Sequence, residues 1–220
     1  HQTSWGMSTR IIGGIIMTHG DNNGLVLPPA VAPVQVVVLP VAQHKPGVLD
    51  KAYELRDRLK GSFRVKVDDG EQSPGWKFAQ YEMKGVPLRL EIGPKDMEKG
   101  QCVLVRRTDR EKIFVPLDQL EARIAEQLDI VRQQMYDRAL ERRESMTYAA
   151  GTLEEMKRTA DEKPGFIKAM WCGELACEEK LKEVAGVSSR CIPFEQEKVG
   201  DVCVYCGTPA KSMVYWGKAY

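Results

Sequence analysis

From Val34 onward the chain alternates between short apolar runs and longer amphipathic stretches, the pattern of an α/β domain. Gln35-Val36-Val37-Val38-Leu39 is an unbroken β-branched run, as expected of a strand buried on both faces. A helix over about residues 48 to 60 follows, with Leu49, Tyr53 or Ala52, Leu55 and Leu59 on its inner side. Arg64 to Asp68 alternates with period two and predicts a second strand. Ser73 is the expected N-cap of a short helix through Met83, with Pro74 at the first position, where a missing N–H costs nothing. Pro87 to Ile92, Gln101 to Arg106 and Lys112 to Pro116 bring the sheet to five strands, the first two joined through Gly93-Pro94-Lys95-Asp96. From near Asp118, the residues Leu120, Ile124, Leu128, Val131 and Met135 recur every three or four positions, predicting one helix that reaches Ser145. Its outer face mixes charges of both signs and reads as solvated, with i,i+4 pairs.

Upstream, Ile11, Ile12, Ile15 and Ile16 fall at helical spacing after Arg10, so a strand leading into a buried helix is expected. The turn residues His19 to Gly24 end it, and Leu27 to Pro33 reads as a stiff extended linker. A piece of about 30 residues cannot bury its own isoleucines, so it is expected to be the tail of a larger domain. These readings divide the chain into residues 1–33, 34–150 and 151–220, the last a small appended domain.

Composition narrows the classes. The 220 residues are 43% hydrophobic, enough for one or two domains. No apolar run approaches the roughly 18 residues of a membrane span, so a soluble protein with no membrane partner is expected. Lysine and arginine total 32 against 31 acidic residues, so any anionic partner must be held by local patches rather than by net charge. Six cysteines are far too few for a disulfide scaffold and favour a reducing, cytoplasmic setting.

Four of those cysteines form two short pairs, Cys172 with Cys177 and Cys203 with Cys206. Tetrahedral zinc is bound by such chelating pairs, and Gly207 supplies the backbone freedom that turns amides toward the sulfurs. Two disulfides are the competing account, and they would need an oxidising compartment. Cys102 and Cys191 stand apart and read as small buried hydrophobes. An all-cysteine quartet leaves no open position for an activated water, which excludes a zinc hydrolase.

Gly75 to Lys84 interleaves aromatics with lysines, and Val105 to Lys112 clusters cations around a turn. Such mixtures hold single-stranded RNA by stacking and phosphate pairing, but aromatics at helical spacing also build cores. Arg10 stands at a helix start after small residues, where a guanidinium can reach a phosphate or stack on a planar base; a capping or surface-paired arginine fits the same spacing. Neither a P-loop nor a Rossmann glycine signature is present.

Taken together these segments resemble prolyl-tRNA synthetase of the archaeal and eukaryotic-like type, a class II aminoacyl-tRNA synthetase. Thr3 to Gly13 with Met17-Thr18-His19-Gly20-Asp21 and Leu27-Pro28-Pro29 is similar to motif 3 of that class. Met83 to Arg89 with Ile92 to Asp96 resembles the anticodon-binding domain. Cys191-Ile192-Pro193-Phe194, the four cysteines and the closing Lys218-Ala219-Tyr220 resemble the carboxyl-terminal zinc-binding domain.

The resemblance implies a remnant of the class II catalytic domain, then an anticodon-binding α/β domain with a mixed five-stranded sheet, then a small α+β domain with structural zinc. It implies formation of prolyl-adenylate from proline and ATP with magnesium, and transfer of the prolyl group to tRNA(Pro). By carry-over, Ser8 and Arg10 contact ATP, with Arg10 catalytic, and Ser4, Trp5 and Gly6 line the proline pocket. Glu82, Lys84, Arg89, Glu91 and Arg106 are the candidates for reading the anticodon, and Cys172, Cys177, Cys203 and Cys206 for the metal. Ala30 departs from the family, which usually has a basic residue there. Nothing resembles motifs 1 and 2, which carry the dimer contact and a second catalytic arginine. The expectation is therefore a fragment of a homodimeric enzyme, without ATP–pyrophosphate exchange of its own. The rival reading is a non-catalytic RNA-binding accessory module related to synthetases.

Overall fold

The computed structural model describes residues 2–218. It divides into two compact units at Ala139/Leu140. The first unit begins with helix α1 (Arg10–His19). Strand β1 (Val36–Pro40), helix α2 (Val48–Leu59), β2 (Val65–Val67), α3 (Pro74–Met83), β3 (Leu88–Ile92), α4 (Pro94–Glu98), β4 (Gln101–Arg106) and β5 (Lys112–Pro116) follow. The long helix α5 (Leu120–Ser145) comes next, entered through a 3-10 turn at Leu117–Gln119.

The five strands form one mixed sheet in the order β2-β1-β3-β4-β5, with β1 parallel to β2 and β3, and β4 antiparallel to both neighbours. Because side chains alternate across a strand, the register sorts the residues onto two faces. One face carries Val36, Val38, Leu88, Leu90, Ile92, Cys102, Leu104 and Val115. It is sealed by Ala52, Leu55 and Leu59 of α2 and by Leu120, Ile124, Leu128 and Val131 of α5. The other face carries Val37 and Leu39, on which α3 packs Tyr81 and, partly buried, Phe78. The β1 run is buried along its whole length.

Ser73 caps α3, its hydroxyl accepting from the Trp76 N–H at 3.4 Å with Pro74 next in line. The inner stripe of α2 is Val48, Ala52, Leu55 and Leu59. It starts at Val48 rather than the predicted Leu49, because Val48 stands four residues before Ala52 and so shares its face. Gly93 to Asp96, expected as a plain connection, opens the short helix α4, where the Asp96 carboxylate accepts from the Gly93 N–H at 3.1 Å.

Two upstream expectations are corrected. Residues 3 to 7 form no strand, and α1 has no buried residue. Its apolar positions Ile11, Ile12 and Ile16 are exposed. The stretch after α1 is instead docked on the sheet unit. Leu25 and Leu27 N–H groups donate to the Met83 and Gly85 carbonyls at 3.0 and 3.3 Å. The Arg64 guanidinium donates to the carbonyls of Pro29, Ala30 and Ala32 at 2.7, 3.1 and 2.8 Å. Gly85 is required here: at φ 70° it is left-handed, and a Cβ would stand 2.7 Å from that of Leu25.

The second unit contains β6 (Thr147–Ala149), α6 (Leu153–Glu162), β7 (Phe166–Trp171), α7 (Leu175–Ala185), β8 (Val187–Cys191) and β9 (Ser212–Lys218). Its four strands run in the order β6-β7-β9-β8, with Met156, Leu181, Val214 and Trp216 at the centre of the core. Trp171 meets Trp216 edge to face at 6.4 Å. The Ala219-Tyr220 end of the resemblance lies outside the described residues. Among the described residues no helix is long and apolar enough to cross a membrane.

Candidate metal centre and nucleic-acid interface

Cys172 directly follows β7, and Cys177 sits in the first turn of α7. The second pair rides on a small hairpin loop closed by a bridge between Val202 and Pro209. Within it the Cys203 N–H donates to Thr208 O at 2.7 Å, and the Gly207 N–H to Cys203 O at 3.0 Å. Gly207 is left-handed at φ 72°, the conformation that a tight knuckle demands. The loop is tied to β7 by Val204 N–H to Met170 O at 2.9 Å and Lys211 N–H to Trp171 O at 2.8 Å.

These bonds bring the four sulfurs within 4.8 Å of one another, with Cys206 Sγ 3.9 Å from Cys172 Sγ. Four sulfurs each about 2.3 Å from a tetrahedral ion would stand roughly 3.8 Å apart. The quartet is therefore positioned to hold a metal ion. Three of the cysteines are buried and Cys206 is exposed. Burial pushes the Cys177 and Cys203 thiols up, whereas the Thr208 hydroxyl beside Cys206 holds that thiol down at about 6. Cys102 is buried as expected, but Cys191 is exposed, because β8 is a sheet edge and is bulged at this point.

The anticodon candidates separate by strand parity. Arg89 and Glu91 lie on the α3 side of the sheet. The Arg89 Nε donates to Glu91 Oε1 at 2.8 Å and its Nη1 to Glu82 Oε1 at 3.3 Å, while its guanidinium lies 4.0 Å from the Phe78 ring centre. Arg110 reaches the other oxygen of Glu82 at 3.1 Å. Glu82, Arg89 and Glu91 thus form one cluster of charges braced on an aromatic face. Lys84 stands beside it, exposed, its ammonium 5.6 Å from the Tyr81 ring.

Arg106 is paired in register with Leu88 and so faces the opposite side, toward α5. Its side chain is only 7% exposed, and its nitrogens donate to Asp109, Glu111 and Gln127. The aromatic and lysine mixture of Gly75 to Lys84 also splits. Tyr81 and Phe78 pack against the sheet and Lys77 is buried, while Trp76 is exposed.

Ser4, Trp5, Gly6, Ser8 and Arg10 all lie on the surface, Trp5 at 94% exposure. The Ser8 hydroxyl accepts from the Arg10 N–H at 3.4 Å at the start of α1. This segment is anchored by a pair that the sequence did not reveal. Arg107, nearly fully buried, donates from both terminal nitrogens to the Asp21 carboxylate at 2.6 and 2.8 Å and from Nε to Glu82 O at 2.8 Å. The Arg107 guanidinium holds the Asp21 carboxyl down at about 2.

Two family models match the chain. The one described as Prolyl-tRNA synthetase, C-terminal covers residues 153–220, and the one described as Anticodon binding domain covers residues 35–127. Over all 220 residues the chain is 65% identical to Proline--tRNA ligase of Clostridium novyi and 64% identical to a Proline--tRNA ligase 2 of Bacillus cereus. It is 60% identical over the same span to Proline--tRNA ligase of Ruminiclostridium cellulolyticum. Each match takes in 46% of the relative, so the chain spans about half the length of the curated relatives it matches. Both models and whole-chain identities of this size agree: along its full length the chain is similar to prolyl-tRNA synthetases.

Proposed function

We propose that this chain is the tRNA-reading part of a proline–tRNA ligase, an enzyme that activates proline with ATP and passes the prolyl group to tRNA(Pro). The observation that carries the reading is unbroken similarity, 60 to 65% over 220 residues, to proteins of that name. In it, residues 1–33 are the end of a class II catalytic domain, 34–150 the anticodon-binding domain and 151–220 a zinc-binding domain, with β6 (Thr147–Ala149) paired into the sheet of the last.

Glu82, Arg89 and Glu91 are the base readers, with Lys84 a phosphate partner. Carboxylates accept from the guanine edge and a braced guanidinium donates to acceptor edges, which suits a guanine-rich anticodon. Arg106 is a positioning residue in this scheme, because reading a base would cost it three intramolecular partners on a helix-covered face. Ser4, Trp5 and Gly6 line the proline pocket, and Ser8 and Arg10 contact ATP bound as its magnesium complex. Arg10 would offset charge that moves toward pyrophosphate. The exposed apolar face of α1 supports a further catalytic body packed there, through which the enzyme forms a homodimer in the cytoplasm.

For the metal, the all-sulfur donor set and the spacing of the sulfurs favour zinc in a closed structural site. Zinc there would hold the loop of Cys203 and Cys206 against β7 and α7. The accessory-module reading is not favoured, since the relatives matched along the whole chain are named as ligases. Filter binding tests the proposal, comparing proline tRNA with the same tRNA carrying an altered anticodon at fixed salt. Tighter binding of the native anticodon is expected; equal affinities would sink the assignment.

A further inference from the structure

The sheet face that carries Arg89 and Glu91 extends past α3. In register across the sheet, one row reads Leu39, Glu91, Val103 and Phe114, and the next reads Val37, Arg89, Val105 and Lys112. Tyr81 and Phe78 of α3 pack over the β1 end of these rows. At the other end Phe114 is 65% exposed and Lys112 is exposed beside it. Ile113 and Val115 point into the core on the opposite face, so Phe114 cannot turn inward without inverting the whole strand.

A phenylalanine left 65% exposed in the middle of a strand contributes little burial to the fold. Its row nevertheless leads to the charge cluster, since strands about 4.8 Å apart set Phe114 only ~10 Å from Glu91. Flat apolar side chains on an open sheet, next to cations and carboxylates, are the arrangement on which single-stranded bases stack.

We propose that Phe114 is a stacking platform for an unpaired base of the anticodon loop, with Lys112 facing the adjacent phosphate. The inference rests on the function proposed above and deepens it, adding a residue that binds any base by its face to those that read base edges. The occupant is RNA rather than a protein, because Phe114 shares its sheet face and its row with Glu91 of the charge cluster and is flanked by Lys112. It also lies within the residues that match the anticodon-binding model.

The test is binding of the 220-residue chain to proline tRNA, with the altered-anticodon tRNA as reference. Phe114→Ala is expected to weaken binding roughly 5- to 150-fold, the range for loss of one stacked base. Phe114→Trp should restore it and Phe114→Leu should not, because leucine is apolar but offers no ring. Lys112→Ala should lower the salt dependence by about one phosphate contact. Unchanged binding by Phe114→Ala, in a chain that still prefers the native anticodon, would overturn the platform and leave the function standing. Rescue by Phe114→Leu would replace stacking with a plain apolar contact and overturn it as well. A wild-type chain with no preference between the tRNAs would overturn both.

Discussion

Asp21→Asn isolates the clamp that anchors the segment carrying Ser4 to Arg10. The carboxyl is held at about 2 against an ordinary value near 3.8 because Arg107 donates two hydrogen bonds to it. A shift of that size corresponds to at most about 2.4 kcal/mol at ~1.36 kcal/mol per unit. Asp21 is 37% exposed, so solvent screening reduces this to about 1 kcal/mol. The substitution also leaves one Arg107 nitrogen facing an amide NH2 instead of an acceptor in a buried side chain, a penalty of similar sign. Local opening should therefore become about fivefold or more favourable at neutral pH. Hydrogen exchange at the Leu25 and Leu27 amides is the assay, since their acceptors are Met83 and Gly85 on the sheet unit. The sign with pH follows from a depressed folded pKa. The contribution is complete above about pH 4 and disappears as pH falls through about 2. Faster exchange at those two amides in Asp21→Asn, without change at β4, is expected; identical exchange would refute the clamp.

Other consequences concern the metal and the backbone. Purified chain should carry about one zinc ion, as a single quartet allows, and a chelator should lower the melting temperature while altering the fluorescence of Trp171, which packs against Cys172, Cys177 and Cys203. A metal-free chain with unchanged melting would remove the structural role. Gly85→Ala should cost about 1–3 kcal/mol in urea unfolding, because the left-handed backbone and the 2.7 Å approach to Leu25 leave no room for a methyl group. A change below a few tenths would show that the docked segment yields freely.

Much of the sheet was legible because period two and β-branched content act locally. The runs at Gln101 and Lys112 became β4 and β5 with the expected bounds, and the stripe from Leu120 to Met135 became the buried face of α5. The same alternation places Arg106 with Leu104 and Cys102 on the inner face, and Phe114 between inward Ile113 and Val115. Those orientations were present in the pattern but are decided only once the helix-covered face is known. The cysteine quartet was legible by spacing, although Cys191 shows that residue type alone misjudges burial at an edge strand. Asp21 and Arg107 are 86 residues apart, and an ion pair closed over that distance leaves no periodic trace. The α1 stripe was read correctly as apolar and helical, but periodicity does not say whether a covering surface is at hand.

As proposed above, it is the α3 side of the five-stranded sheet that recognises the anticodon of a proline tRNA. Hydroxyl-radical footprinting of proline tRNA bound to the 220-residue chain tests it most directly. Protection confined to the anticodon loop and its adjoining stem, and lost in Arg89→Ala, is the predicted result. Protection elsewhere with the anticodon loop left open, or a footprint indifferent to Arg89→Ala, would contradict it.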